Sequence, residues 1–207
     1  MSTFRIYSCV SETTIAYGIQ ARLLARKEIQ MGMIDDAVRE YLIKENLNFS
    51  EDTGLGVFRL NFGLQNCSLA ATIVCQLDEA GFNYTLRTSV KVVEDRRDAV
   101  MKFVTMANFG MRLGGFQLDL SDGEILFYAS SLVGSEPPED AVIERIIWSS
   151  NFTVDRYFNG LMKVIYADAD PVKTVRHIEQ RNTSSLFDDI DFDLDHLLTA
   201  GENETEL

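Results

Sequence analysis

The side chains most suited to chemistry in this chain are two histidines, three cysteines and a hairpin of carboxylates. His177 and His196 both lie beyond residues 34–166, the part of the chain with regular apolar patterning. A Ser-His-Asp triad, a Cys-His pair or a histidine zinc site therefore cannot be built within that part. The sequence predicts a protein that is not an enzyme, with no catalytic, cofactor or metal-binding residues.

The cysteines Cys9, Cys67 and Cys75 are an odd set without metal-ligand spacing. If Cys67 and Cys75 flank or share one extended strand, their α-carbons lie far beyond disulfide reach. No Cys-x-x-Cys motif and no nearby histidine is present to lower a thiol pKa. We expect reduced thiols that serve mostly in packing, with a nucleophilic or redox role as the weaker alternative.

Asp119, Asp122 and Glu124 form a carboxylate group around a predicted hairpin turn. Metal binding or acid-base catalysis is one interpretation, but Asp and Glu at a turn are explained more simply as turn formers and solvent-facing residues. The run from Asp191 to Asp195, with Glu202, imitates a calcium loop, yet His196 occupies the position that needs glycine. We therefore expect no calcium site.

The elements around these side chains follow from apolar periodicity. Residues 34–46 predict a helix with an apolar stripe of Ile34, Val38, Leu42 and Ile43. Alternation predicts strands over residues 58–64, 69–77, 82–90, 116–120 and 125–129, with Phe116, Leu118 and Leu120 on one face of the fourth. A second helix begins at Glu94 and a long one at Glu139. This α-β-β-β-α-β-β-α order predicts an α+β fold, a five-stranded antiparallel sheet with helices packed on one face.

The long helix has apolar residues on more than one stripe, whereas a helix lying on its own sheet needs only one. Part of that surface is therefore expected to contact another chain, and we predict a homodimer. Large aromatic and aliphatic side chains dominate buried interfaces. The candidate interface residues on this helix are Trp148, Tyr157, Phe158 and Leu161.

Composition limits the partners. The 207 residues include 19 Lys and Arg against 32 Asp and Glu, a formal charge of -13 that opposes binding to nucleic acid or to anionic membranes. Basic or apolar protein surfaces are the expected partners. No apolar run is long enough to span a bilayer and the first thirty residues do not resemble a signal peptide, so we expect a cytoplasmic protein.

The two ends of the chain differ in charge from the rest. We predict four segments: a partly helical N-terminal extension (residues 1–30), one domain (31–167), a short helix and linker (168–183) and an acidic tail (184–207). Asp170 and Pro171 begin the short helix. The tail has eight acidic residues and no Lys or Arg. An amphipathic helix in the tail contributes three further candidate interaction residues, Phe187, Ile190 and Leu194. This helix either completes its own core or docks as a tethered segment, and in the second case we expect it to fold back on basic residues of the N-terminal extension.

Several motifs resemble those of one known family. They are the Arg96–Phe103 run, Phe103-Val104 with Ala107-Asn108, Gly115-Phe116-Gln117-Leu118-Asp119, Asp122-Gly123-Glu124-Ile125 with Phe127, and the helix from Asp155 to Tyr166. Together they resemble the YbjN family, described as bacterial sensory transduction regulators. The resemblance implies a fold like that of type III secretion chaperones, which dimerises and binds protein segments, and it implies no catalytic residues.

Two functional hypotheses follow. The first is a non-enzymatic, chaperone-like or regulatory adaptor that binds a protein client or signalling partner, in stress or sensory regulation. The second is a small-ligand sensor or an enzyme that uses a pocket between helix and sheet. For a pocket of the second kind, the sequence offers only carboxylates and thiols without catalytic partners, so we favour the first hypothesis.

Overall fold

A computed structural model describes residues 32–52, 54–76, 81–133 and 136–188, and these form an α+β domain. The elements in chain order are α1 (residues 32–44), β1 (Phe49–Asp52), β2 (Val57–Gly63), β3 (Ser68–Gln76), β4 (Gly81–Lys91), a 3-10 turn (Glu94–Arg96), α2 (Arg97–Phe109), β5 (Gly115–Leu118), β6 (Glu124–Leu132), α3 (Asp140–Tyr166) and α4 (Pro171–Asp188). The predicted N-terminal extension lies outside the described residues. No helix in the described segments has the length and apolar character needed to cross a membrane.

The sheet has six antiparallel strands in the order β1-β2-β3-β4-β6-β5, so the prediction of five strands is wrong. The additional strand is β1, which pairs with β2 from Phe49 opposite Leu60 to Asp52 opposite Val57. Its sequence, Phe-Ser-Glu-Asp, has one apolar side chain and follows turn-forming residues, so it shows no alternation. Backbone pairing to the edge of β2 is what extends this segment.

One face of the sheet carries the core. Two rows of buried residues cross the strands side by side: Leu60, Ala71, Leu86, Phe127 and Phe116 in one, and Phe58, Ile73, Tyr84 and Ala129 in the other. Residues between them along each strand, such as Arg59, Thr72 and Tyr128, point to the opposite face and are exposed or half-buried. The predicted alternation within these strands is confirmed, except that Asn83 of β4, predicted to face outwards, is only 6% exposed.

The buried stripes of α1, α2 and α3 cover the core, and two apolar residues, one on α1 and one after β5, depart from their predicted buried positions. Ile43 is 63% exposed, whereas Tyr41 is 2% exposed. Successive helical residues differ by about 100° in direction, so Ile43 points away from the stripe that Leu42 occupies. Leu120 is 54% exposed because β5 ends at Leu118 and Leu120 lies in the turn.

Helix α4 covers part of the second apolar face of α3. The helices approach most closely at Gly160, where a Cβ atom would lie 2.5 Å from the Ile178 side chain and 3.0 Å from that of Thr174. Asp170 caps α4 as predicted, because its carboxylate accepts the backbone N–H of Lys173 at 2.8 Å. The helix extends to Asp188, so no linker separates it from the start of the acidic tail.

A buried hydrogen bond fixes α3 on the sheet. The Tyr84 hydroxyl on β4 donates to the Asn151 side-chain oxygen on α3 at 2.9 Å. Both residues are fully buried, and burial raises the pKa of Tyr84. This bond joins β4 to the buried side of α3, which also includes Ile143, Ile147 and Val154.

Candidate protein-interaction surface

Three aromatic side chains pack in a row beside the first half of α3, from buried Phe62 to exposed Phe152. Trp148 packs edge-on against Phe62 at the end of β2, with ring centroids 5.8 Å apart, and lies 6.1 Å from the ring of Phe152 one turn further along α3. Phe62 is buried, Trp148 is half-buried and Phe152 is 64% exposed. We call Phe62, Trp148 and Phe152 the aromatic ledge.

The geometry of α3 explains why the ledge is fixed in place. Trp148 and Phe152 are four residues apart, so they lie on the same side of the helix. The residues preceding each of them, Ile147 and Asn151, are both fully buried and anchor the helix. The ledge is therefore presented on a rigid element, and a partner would not have to order it before binding.

Both acidic and basic side chains lie near the ledge. Glu144 lies one turn before Trp148 on α3. Burial raises the pKa of Tyr41 on α1, and the nearby carboxylates of Glu144, Glu45 and Asp140 raise it further. Of these, Asp140 is paired with Lys44 at 2.6 Å. Glu45 and Glu144 therefore lie near Tyr41, which adjoins Trp148. Arg145, three residues before Trp148, and Arg156, one turn after Phe152, lie on the same side of α3 as the ledge.

The residues predicted for an interface have different positions. Trp148 belongs to the ledge and Phe158 is half-buried, but Tyr157 and Leu161 are 5% and 1% exposed in the chain's own core. The Tyr157 ring contacts Phe103 and Phe116, so it is not available to a partner. Phe187 lies within α4, and its side chain is outside the described residues, as are Ile190 and Leu194.

A network of hydrogen bonds joins the turn between β2 and β3 to α3, next to the ledge. The Asp155 carboxylate accepts the backbone N–H of Asn66 at 2.7 Å and its side-chain amide at 2.9 Å. The Asn159 amide in turn donates to the Asn66 side-chain oxygen at 2.7 Å. These bonds hold the turn against the helix and occupy the Asp155 carboxylate.

The carboxylates around the β5–β6 turn have structural partners. Asp119 accepts the hydroxyl of Ser121 at 2.6 Å and its backbone N–H at 2.7 Å. Asp122 pairs with Lys91 at 2.5 Å and accepts the backbone N–H of Glu124 at 2.9 Å. The Ser121 hydroxyl and the Lys91 ammonium hold the pKa values of Asp119 and Asp122 below their usual range. Within the described segments, no group of three or more His, Cys, Asp or Glu residues could hold a metal ion.

The two described cysteines are free thiols in environments that disfavour the thiolate. Burial raises the pKa of Cys67 to about 11, and the adjacent carboxylate of Asp155 adds to the shift. Burial likewise raises the pKa of Cys75, with Asp35 contributing. A nucleophile needs the opposite shift. Cys9 lies outside the described residues.

We predict that Cys67 and Cys75 resist alkylation in the folded protein. A pKa of about 11 instead of 9 for Cys67 leaves about 100-fold less thiolate at pH 8. Iodoacetamide labelling at pH 8, followed by peptide mass spectrometry, measures this for each cysteine, with the denatured chain as the reference. Labelling of either thiol at its denatured rate in the folded chain would contradict the prediction.

Comparison with known proteins identifies one family. The model of the YbjN family, described as "Putative bacterial sensory transduction regulator", matches residues 35–163, more than half of the chain. The matched range begins within α1 and ends within α3, so it includes all six strands and the ledge, whereas α4 follows it.

The chain also resembles a solved structure, a crystal structure of "YbjN, a putative transcription regulator from E. coli". The sequences are 14% identical, the match covers 64% of this chain and 90% of that chain, and the TM-score is 0.46. No curated protein matches the chain.

Proposed function

The chain belongs to the YbjN family, and on that premise we propose that it is a non-enzymatic regulatory adaptor that binds a protein partner at the aromatic ledge. The observation that carries the proposal is Phe152, 64% exposed beside Trp148 on a helix anchored in the core. Large aromatic residues on rigid elements commonly dominate the binding free energy of protein interfaces. The ledge therefore has the composition and the rigidity that a binding site needs.

Charge indicates the chemistry of the partner. The chain has a formal charge of -13, and Glu45 and Glu144 lie near Tyr41 at the Trp148 end of the ledge. A segment with a large apolar side chain flanked by lysine or arginine would bury its anchor against Trp148 and Phe152 and pair with these carboxylates. A second copy of this acidic chain fits the ledge less well, because it would bring like charges together.

We further propose that the domain works as a binding scaffold in the manner of a type III secretion chaperone. The observed order of elements contains the α-β-β-β-α-β-β-α order of that fold, with β1 and α4 as additions. We place the adaptor in the cytoplasm, where a reducing environment keeps thiols such as Cys67 and Cys75 free.

Site-specific crosslinking in native cells tests the proposed function. A photoreactive phenylalanine analogue replaces Phe152 in the full-length chain, and the matched control carries it at Leu120, an apolar residue of similar exposure in the β5–β6 turn. We expect position 152 to crosslink to one discrete protein through a segment that contains both apolar and basic residues. We expect no such product from position 120.

Two outcomes would overturn the proposal. One is the same set of crosslinked products from positions 152 and 120, which would show that the ledge has no specific partner. The other is a crosslink from position 152 only to a second copy of the chain, which would make the ledge a contact between subunits.

We propose that the homodimer forms through the second face of the sheet. On this face, opposite the buried core residues, Val74, Leu126 and Tyr128 are half-buried and Asn83 is buried. Its charges are partly neutralised, since Arg87 pairs with Glu124 at 3.2 Å. Two copies can therefore approach through this face with less repulsion than beside Glu45 and Glu144.

Light scattering after size exclusion tests the homodimer. At micromolar concentration we expect about twice the chain mass of 23.4 kDa. Leu126→Glu should shift the mass towards the monomer because it places a charge in the apolar contact, while Phe152→Ala should leave the dimer intact. A monomeric mass for the unaltered chain would contradict the prediction.

A small-ligand sensor remains the second candidate function, and one observation favours it. The described residues form a cleft lined by basic side chains between α3 and α4. This cleft lies between two helices rather than between helix and sheet, where the sequence-based alternative placed a pocket.

A further inference from the structure

A cleft of about 340 Å³ lies between the second half of α3, the first half of α4 and the turn joining β2 to β3. Three basic side chains line it: Arg156 and Lys163 from α3, and His177 from α4. Neutral polar side chains complete the lining, among them Asn159, Gln65 and Thr174. No carboxylate lines the cleft, although acidic residues greatly outnumber basic ones in the chain.

Helix geometry explains why the basic groups converge. Arg156 and Lys163 are seven residues apart, or about two turns, so they lie on the same side of α3. Gly160 lies between them, and its lack of a side chain lets α4 pack directly on α3 through Thr174 and Ile178. This close approach brings His177 to the opposite wall of the cleft.

The basic groups differ in how they are held. The Arg156 guanidinium donates to the Ile178 carbonyl at 3.3 Å and lies over the Tyr157 ring, 5.3 Å from its centroid. These two contacts fix its position at the edge of the cleft and leave further N–H groups free. Lys163 and His177 are exposed, and in the described part of the chain no ion pair involves either side chain.

We propose that this cleft binds a small molecule bearing phosphate groups. A phosphate presents several acceptor oxygens, which can be reached at once by a fixed guanidinium, an ammonium and an imidazole on opposite walls. The cleft volume lies within the range of about 300–1,000 Å³ that is typical of ligand sites. None of the residues that line the cleft belongs to the aromatic ledge, and its ligand is additional to the protein partner of the proposed function.

Titration of the full-length chain with pyrophosphate tests this inference. Binding is measured by calorimetry and by amide chemical shifts, with sodium chloride of equal ionic strength as the reference. We expect saturable binding with shifts at Gln65, Asn159, Lys163 and His177. Lys163→Gln removes one charge-assisted contact and should weaken binding about tenfold. His177→Gln should also weaken it.

Matched controls separate a specific site from general charge attraction. Lys173→Gln and Arg176→Gln remove the same charge from exposed positions of α4 that do not line the cleft, and should change affinity by less than about twofold. The shift pattern away from the cleft shows whether each variant keeps its fold. Absence of binding to the unaltered chain would overturn the inference, as would equal losses in the cleft variants and the controls.

Discussion

Replacing Gly123 with alanine should destabilise the domain by about 3 kcal/mol or more. Gly123 has φ of +76°, a conformation that costs an L-residue about 1–2 kcal/mol. A Cβ atom would also lie 2.0 Å from the Val92 carbonyl oxygen, a backbone atom that cannot move independently. Relieving this clash would disturb the hydrogen bond between the Val92 N–H and the Gly123 carbonyl, which is 2.8 Å long.

Gly63→Ala is the matched control for this prediction. Gly63 has no atom within 4 Å of the position a Cβ would take and no positive φ. Its replacement should change the free energy of unfolding by less than about 0.5 kcal/mol. Urea denaturation of the full-length chain compares the two variants. If Gly123→Ala matches the unaltered chain, the described packing of the β5–β6 turn against Val92 is wrong.

Truncating the aromatic ledge should strongly reduce partner affinity. For the protein captured by crosslinking at position 152, Trp148→Ala should weaken binding about 30-fold or more, and Phe152→Ala about tenfold. Trp148→Ala also removes the contact with Phe62, so part of its effect can come from the fold. Phe152 is 64% exposed, and its loss should leave the unfolding transition unchanged.

Phe109→Ala is the matched control for the ledge variants, since this aromatic residue is 95% exposed at the end of α2. Calorimetric titration with the purified partner should give equal affinities for Phe109→Ala and the unaltered chain. If Phe152→Ala also kept the affinity of the unaltered chain, the ledge would not be the binding surface.

Residue patterns predicted the fold most accurately where burial follows a simple period. The alternation in β2, β3 and β4 identified the buried face because only one side of the sheet carries helices. β1 was missed because it contains only one apolar residue, Phe49, and therefore shows no alternation of apolar and polar side chains. Only its backbone pairing with β2 identifies it as a strand. The stripe of α1 was wrong at Ile43, because an apolar residue next to the stripe was assigned to it although it points to solvent.

The candidate site was predicted only in part, because it depends on which face of α3 the rest of the chain covers. Trp148 was predicted as an interface residue, but Phe152 was not, and Tyr157 and Leu161 are core residues. Periodicity reveals several apolar stripes on α3 without showing that α4 packs against one of them. Gly160 was the one local signal of that close helix packing.

The basic cleft gave no signal in the sequence. Arg156 and His177 are exposed polar residues on separate helices, and such residues usually belong to a solvated face. Their convergence follows from the packing of α4 on α3, which is a tertiary property. Reading the same residues one helix at a time could not reveal a shared site.

Hydrogen–deuterium exchange of the full-length chain, alone and with the crosslinked partner, tests the central claim most directly. If the ledge is the binding surface, the partner should slow exchange in residues 144–156 of α3 and in residues 60–66 at the end of β2, where the ledge residues lie. Exchange in the β5–β6 turn, residues 119–123, should not change. Protection confined to other parts of the chain, with these two segments unchanged, would contradict the account.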